Sequence, residues 1–177
     1  MIAIVDYGIG NLRSVEKAFL HVGADALVTA DPAVAGAAEA IVLPGVGAFG
    51  DGMAQLRGSR FIAVLEEAAA SARPILGICL GMQLLFEESE EMGRHAGLGL
   101  LPGRVKRFAP GLKVPHIGWN QVHVVRPSAL LEGLAQDSYA YFVHSYFVDP
   151  GDERTVLAVT DYGGPFASVV GQGQVFG

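Results

Sequence analysis

Apolar residues follow two rhythms along the first half of this chain. Ile2 to Val5, Ala26 to Val28, Ala40 to Leu43 and Ile75 to Ile78 are short unbroken runs, the signature of strands buried on both faces. Between the first two, Leu12, Val15, Ala18, Phe19 and Val22 recur at helical spacing. Asn11 stands where a cap belongs, and His21 and Gly23 mark the helix end. An alanine-rich helix is predicted over roughly Ser59 to Ala72, and Asp31-Pro32 and Pro44-Gly45 are read as turns. Continuous strands separated by helices predict a parallel sheet covered on both sides.

The second half changes character. Arg104 to Phe108, Gln121 to Val125, Tyr139 to Val143, Thr155 to Asp161 and Ala167 to Gly171 read as strands joined by short polar turns. The expected fold is a three-layer α/β sandwich with a largely parallel central sheet and an antiparallel extension, in one domain spanning 1–177.

Composition narrows the function classes. Hydrophobic residues make up 51% of the 177 and charged ones 17%, which argues against disorder. The net charge is −6 with no basic run, so nucleic acid is not an expected partner. No apolar segment reaches the about 18 residues of a membrane helix, and the start lacks a basic signal-peptide region. A soluble cytoplasmic protein is expected. Cys79 is the single cysteine, which excludes an internal disulfide and a multi-cysteine metal site; no metal or cofactor is expected.

Chemistry concentrates at Gly77-Ile78-Cys79-Leu80-Gly81. An apolar strand runs straight into a cysteine with glycine two residues before and two after, and an amphipathic helix is expected to follow through Leu84, Leu85, Glu87 and Glu88. This is the cysteine form of a nucleophile elbow, a turn so tight that neighbouring side chains would collide with it. It puts the sulfur at a helix N-terminus, where the dipole favours thiolate and backbone N–H groups can hold an oxyanion. A lone cysteine is otherwise a small buried hydrophobe. Gln83 lies one turn on, its amide on the side of Cys79, to bind a substrate or to brace the pocket. Pro44 to Gly50 is a second glycine-rich segment. It reads as a strand-to-helix turn or as an oxyanion loop, without the lysine of a nucleotide-binding loop.

Six stretches carry a resemblance that spans the chain: DYGIGN (Asp6–Asn11), LPGVGAFGDGM (Leu43–Met53), GICLGMQLLFEESEE (Gly77–Glu91), GLGLLPGRV (Gly97–Val105), PHIGWN (Pro115–Asn120) and YFVHSY (Tyr141–Tyr146). In these the chain resembles the class I glutamine amidotransferases, and among them the glutaminase subunits of imidazole glycerol phosphate synthase. The resemblance implies that Cys79 attacks glutamine to give a glutamyl thioester and ammonia. It implies an oxyanion hole from Val46, Gly47 and the Leu80 N–H, and substrate contacts from Gln83, Glu91, Ser145 and Tyr146. Asn11 and Trp119 would face the partner, a (βα)8-barrel cyclase subunit in a heterodimer. By residue type alone, Asn11 is a helix cap and Trp119 ordinary core. His144 is not the family's triad histidine, and His21, His95, His116 and His123 are read as structural.

The chain departs from the resemblance at one place. The triad's histidine and glutamate belong to a phenylalanine-histidine-proline-glutamate motif on a late strand that begins here with Gln174 to Gly177. The sequence is therefore expected to be truncated, and nearly inactive and poorly stable as it stands. Two rival readings are a scaffold subunit without chemistry and a stand-alone cysteine hydrolase or redox sensor.

Overall fold

A computed structural model describes residues 1–177, and the chain is an α/β protein built on a 13-stranded mixed sheet. The parallel part comprises β1 (Ile2–Val5), β2 (Ala26–Thr29), β3 (Ala40–Gly45) and β4 (Ile75–Cys79), ordered β2-β1-β3-β4. Alternation along these strands splits the core. Ala3, Val5, Ile41, Leu43 and Ile75 face α2 (Pro32–Gly36), α3 (Phe49–Gly58) and α4 (Phe61–Ala70), meeting Met53, Leu56, Phe61 and Leu65. Ile4, Val42, Leu76 and Ile78 face the other way, where Leu12, Val15 and Phe19 of α1 (Leu12–His21) pack on them. Helices on both faces explain the unbroken apolar runs, and the expected layering is found.

One helix, α2, went unread in the sequence, while α3 follows the strand-to-helix turn that was read there. Asp31-Pro32 is a helix start rather than a simple turn: the Asp31 carboxylate accepts the Ala33 N–H at 2.9 Å, with proline at the first helical position. The glycine-rich segment leads into α3. Asn11 does occupy the N-cap position of α1, but its side chain makes no capping hydrogen bond.

A larger correction falls after Cys79. The helix α5 (Leu80–Leu84) has five residues, and Phe86–Ser89 is a strand, β5. The cause is competition for carbonyls. Leu84, Leu85 and Phe86 are fully buried, and their C=O groups accept N–H bonds from Leu98, from Leu100 and Leu101, and from Gly99. A longer helix would need those carbonyls for itself. The glutamates expected on its solvated face instead hold the fold: Glu87 accepts the Gly103 N–H at 2.7 Å and Glu88 pairs with Arg94.

The antiparallel extension contains β6 (His95–Ala96), β7 (Leu101–Arg107), β8 (His116–Val124), β9 (Ser138–His144), β10 (Tyr146–Pro150), β11 (Val156–Asp161) and β12 (Pro165–Gln172). β8 and β9 form a long ribbon, Ile117 opposite Val143 and Trp119 opposite Tyr141. Finally β13 (Val175–Phe176) returns to the parallel part, with Val175 opposite Ile75 and Phe176 opposite Leu76. No helix is long and apolar enough to cross a membrane.

Candidate active site

Cys79 ends β4 at φ 55° and ψ −115°, a conformation that ordinary side chains avoid. The two flanking glycines let the chain turn there. A Cβ on Gly77 would lie 2.6–2.7 Å from the backbone of Gly81 and Met82, so the helix could not fold back over its own strand. A Cβ on Gly81 would lie 1.7 Å from the Leu43 carbonyl oxygen, so α5 could not press against β3. Gly45 closes the packing from the other side, where a Cβ would come within 2.6 Å of the Tyr7 hydroxyl. Tyr7 is buried, its hydroxyl has no hydrogen-bond partner, and burial first, with Cys79 nearby, raises its ionisation well above the ordinary value.

The sulfur opens onto solvent through a cleft, yet enough protein surrounds it to penalise charge. Burial pushes the Cys79 thiol up, and the Leu80 N–H bond pulls the other way without prevailing. A helix of five residues contributes little more. Burial thus works against the thiolate that the helix N-terminus was expected to favour.

Cys79 faces a cavity of about 400 Å³, a size suited to a small metabolite. Val46, Gly47, Leu80, Gln83, Glu91, Ser145 and Tyr146 all line it, so the structure gathers the predicted oxyanion and substrate residues around one sulfur. Pro115, Val143 and His144 complete the wall. Gly47 has φ +94°, and Val46 is half exposed at the cavity. One Glu91 oxygen accepts the Phe49 N–H at 2.7 Å, tying the loop after β3 to the end of β5. Gln83 is buried and donates from Nε2 to the Tyr146 carbonyl at 3.1 Å, so its amide braces the pocket wall.

His144 is the one histidine on this cavity. Its Nδ1 lies 2.9 Å from the Tyr146 carbonyl and its Nε2 lies 3.0 Å from His116 Nδ1. Both ring nitrogens are therefore engaged, and neither is free to take the Cys79 proton. The sequence reading passed over His116 and Asn120 as members of this arrangement. The signal was present in PHIGWN: with a two-residue period, His116 and Asn120 share one face of β8, and Ile117 and Trp119 share the other.

Asn11 and Trp119 lie outside the cavity. Asn11 is exposed at the start of α1, and Trp119 is 70% exposed on the outer face of the β8–β9 ribbon, which overturns its reading as core. Ile117, Tyr139, Tyr141 and Val143, each more than half exposed, continue the same outer face.

The family described as glutamine amidotransferase class-I matches residues 3–177. Imidazole glycerol phosphate synthase subunit HisH of Desulfitobacterium hafniense is 53% identical over 177 residues, covering 100% of this chain and 84% of that protein. The subunit HisH of Methanothermobacter thermautotrophicus is 57% identical over 163 residues, 92% of this chain and 80% of that protein. Among solved structures, a glutamine amidotransferase superposes with a TM-score of 0.78 at 21% identity, over 99% of this chain and 87% of that one. PurLQS from Thermotoga maritima gives 0.73 at 19% identity, over 99% and 84%. These two structures support the fold.

Proposed function

This chain belongs to the class I glutamine amidotransferases, among the HisH subunits of imidazole glycerol phosphate synthase, and from that premise we propose that Cys79 hydrolyses glutamine and that the ammonia passes to a cyclase subunit. In this reading Cys79 Sγ attacks the side-chain amide carbon, and a C–S bond forms as the carbonyl oxygen takes up negative charge. The Leu80 N–H and the backbone N–H groups at Val46–Gly47 stabilise that oxygen. Collapse expels ammonia and leaves a γ-glutamyl thioester, which water cleaves to glutamate while the thiol is restored. Glu91 pairs with the substrate α-ammonium through the oxygen that does not bind Phe49. Gln83 and the backbone at Ser145 and Tyr146 hold the rest of the substrate.

The thiol proton must reach the leaving nitrogen, and His144 is not available to carry it. For the partner, the apolar outer face of the β8–β9 ribbon is the docking surface we assign to the cyclase barrel. An apolar strip of this kind on a soluble protein marks an interaction site, and Trp119 and Tyr141 meet edge-to-face at its centre with ring centroids 5.5 Å apart.

The observation that carries the proposal is the strained Cys79 elbow opening onto the cavity that its seven expected neighbours line. Glutamine labelled with ¹⁵N at the side-chain amide, given to the protein with its cyclase subunit and the cyclase substrate, tests it. The label is expected in the imidazole product, with glutamate formed in equal amount. Product formed only from free ammonium, with no glutamate, would overturn it.

A further inference from the structure

Behind the pocket wall runs a chain of hydrogen bonds whose direction the acceptors dictate. A carbonyl can only accept, so His144 Nδ1 carries a proton and donates to the Tyr146 carbonyl at 2.9 Å. In the neutral ring Nε2 then accepts, and the donor facing it at 3.0 Å is His116 Nδ1–H. His116 Nε2 must in turn accept, and Asn120 Nδ2 faces it at 3.3 Å. Two further bonds fix the Asn120 amide: Nδ2 donates to the Asp161 carbonyl at 2.8 Å, and Oδ1 accepts the Gln121 N–H at 2.9 Å. Each member thus dictates the tautomer or orientation of the next. An aromatic shell locks the rings in place, with His116 stacked on Tyr162 at 4.0 Å and Phe108 and Phe166 against His144 at 5.0 and 5.1 Å.

The two ends of this chain lie in different places. One end is the Tyr146 carbonyl, which also accepts from Gln83, so one oxygen holds both the relay and a pocket residue. The other end is Asn120, next in sequence to Trp119. Because β8 and β9 alternate, His116, Asn120 and His144 lie on the inner face of the ribbon whose outer face carries Ile117, Trp119, Tyr141 and Val143. The ribbon is one residue thick between the two. A shift of the outer face therefore moves the donors of the inner face.

We propose that the Asn120–His116–His144 chain is a positioning device that sets the Tyr146 carbonyl, and through it the Gln83 amide, and couples both to the outer face of the β8–β9 ribbon. The proposal rests on the glutaminase reading above. His116 and Asn120 are positioning residues that act on glutamine through His144, Tyr146 and Gln83, and His144 itself stands on the cavity wall.

Two measurements on the protein in complex with its cyclase subunit test this. The substitution His116→Phe keeps an aromatic ring against Tyr162 and removes both nitrogens. It is expected to raise KM for glutamine roughly 5- to 10-fold, the equivalent of one broken buried hydrogen bond, with kcat changed less. Imidazole ¹⁵N spectra of the unsubstituted protein are expected to show the Nδ1–H tautomer for both His116 and His144. The Gln83 side-chain amide signal is expected to move in His116→Phe. Should His116→Phe fail to fold, Asn120→Leu severs the same chain at its half-exposed end and is held to the same expectations. A KM within about 2-fold of the parent with an unmoved Gln83 signal, or an Nε2–H tautomer on either ring, overturns the proposal. Absence of glutamine hydrolysis in the parent complex would instead count against the function reading, and the spectra would then decide the relay alone.

Discussion

Replacing Gly81 by alanine tests the elbow through its packing. The new Cβ would stand 1.7 Å from the Leu43 carbonyl oxygen and must retreat to at least 3.0 Å, a shift of about 1.3 Å. Neither side gives easily. Leu43 is fully buried in β3 with Pro44 opposite Ile78 and Gly45 opposite Cys79, and α5 is pinned from outside by the buried Leu80 and Leu84. Overpacking in a core costs typically 1–3 kcal/mol, and a backbone-to-backbone clash belongs at the upper end, so we expect about 3 kcal/mol. For a chain of this size that lowers Tm by roughly 6–12 °C. Gly58→Ala is the matched control: a Cβ there meets nothing within 4 Å, and the helix gains or loses less than about 1 kcal/mol. Thermal unfolding of both variants, followed by circular dichroism, measures the difference. A Gly81→Ala protein melting within about 2 °C of the parent would refute the packing argument.

Two further outcomes follow from the same geometry. Trp119→Ala should leave Tm almost unchanged because the ring is 70% exposed, yet weaken binding to the cyclase subunit by roughly 30-fold or more; titration calorimetry reads both the affinity and its loss. Burial depresses His116 and His144 below the ordinary histidine value of 6.5, so the unfolded chain binds more protons there. Their contribution to stability is full above pH 6.5 and is lost as the pH falls through the folded values; the acid limb of a denaturant series should flatten in His116→Phe, and an unchanged limb would contradict the shift.

The parallel half of the fold was legible because helices cover both faces of its strands, and β1, β3 and β4 then show as runs without polar interruption. The elbow was legible for a related reason: Gly77 and Gly81 mark a turn where a side chain has no room, and that constraint is written in residue type. What sequence could not show was set by distant partners. Nothing in Leu84-Leu85-Phe86 says that its carbonyls are taken by residues 98–101, and local periodicity therefore favoured helix over β5. The oxyanion and substrate residues came from resemblance, since Glu91 and Tyr146 carry no local mark of a pocket. The histidine relay was hidden by the opposite fault. Its members sit at ordinary strand spacing, and only the pairing of β8 with β9 brings His116 against His144.

Ammonia release from glutamine by Cys79→Ala, assayed in the complex with the cyclase subunit, goes to the centre of the account. If the sulfur at the strand–helix junction is the attacking atom, turnover falls by at least about 10³-fold while the protein keeps its fold and its partner. Turnover retained within a few-fold of the parent would mean that the reaction runs through some other group, and the proposed chemistry would not stand.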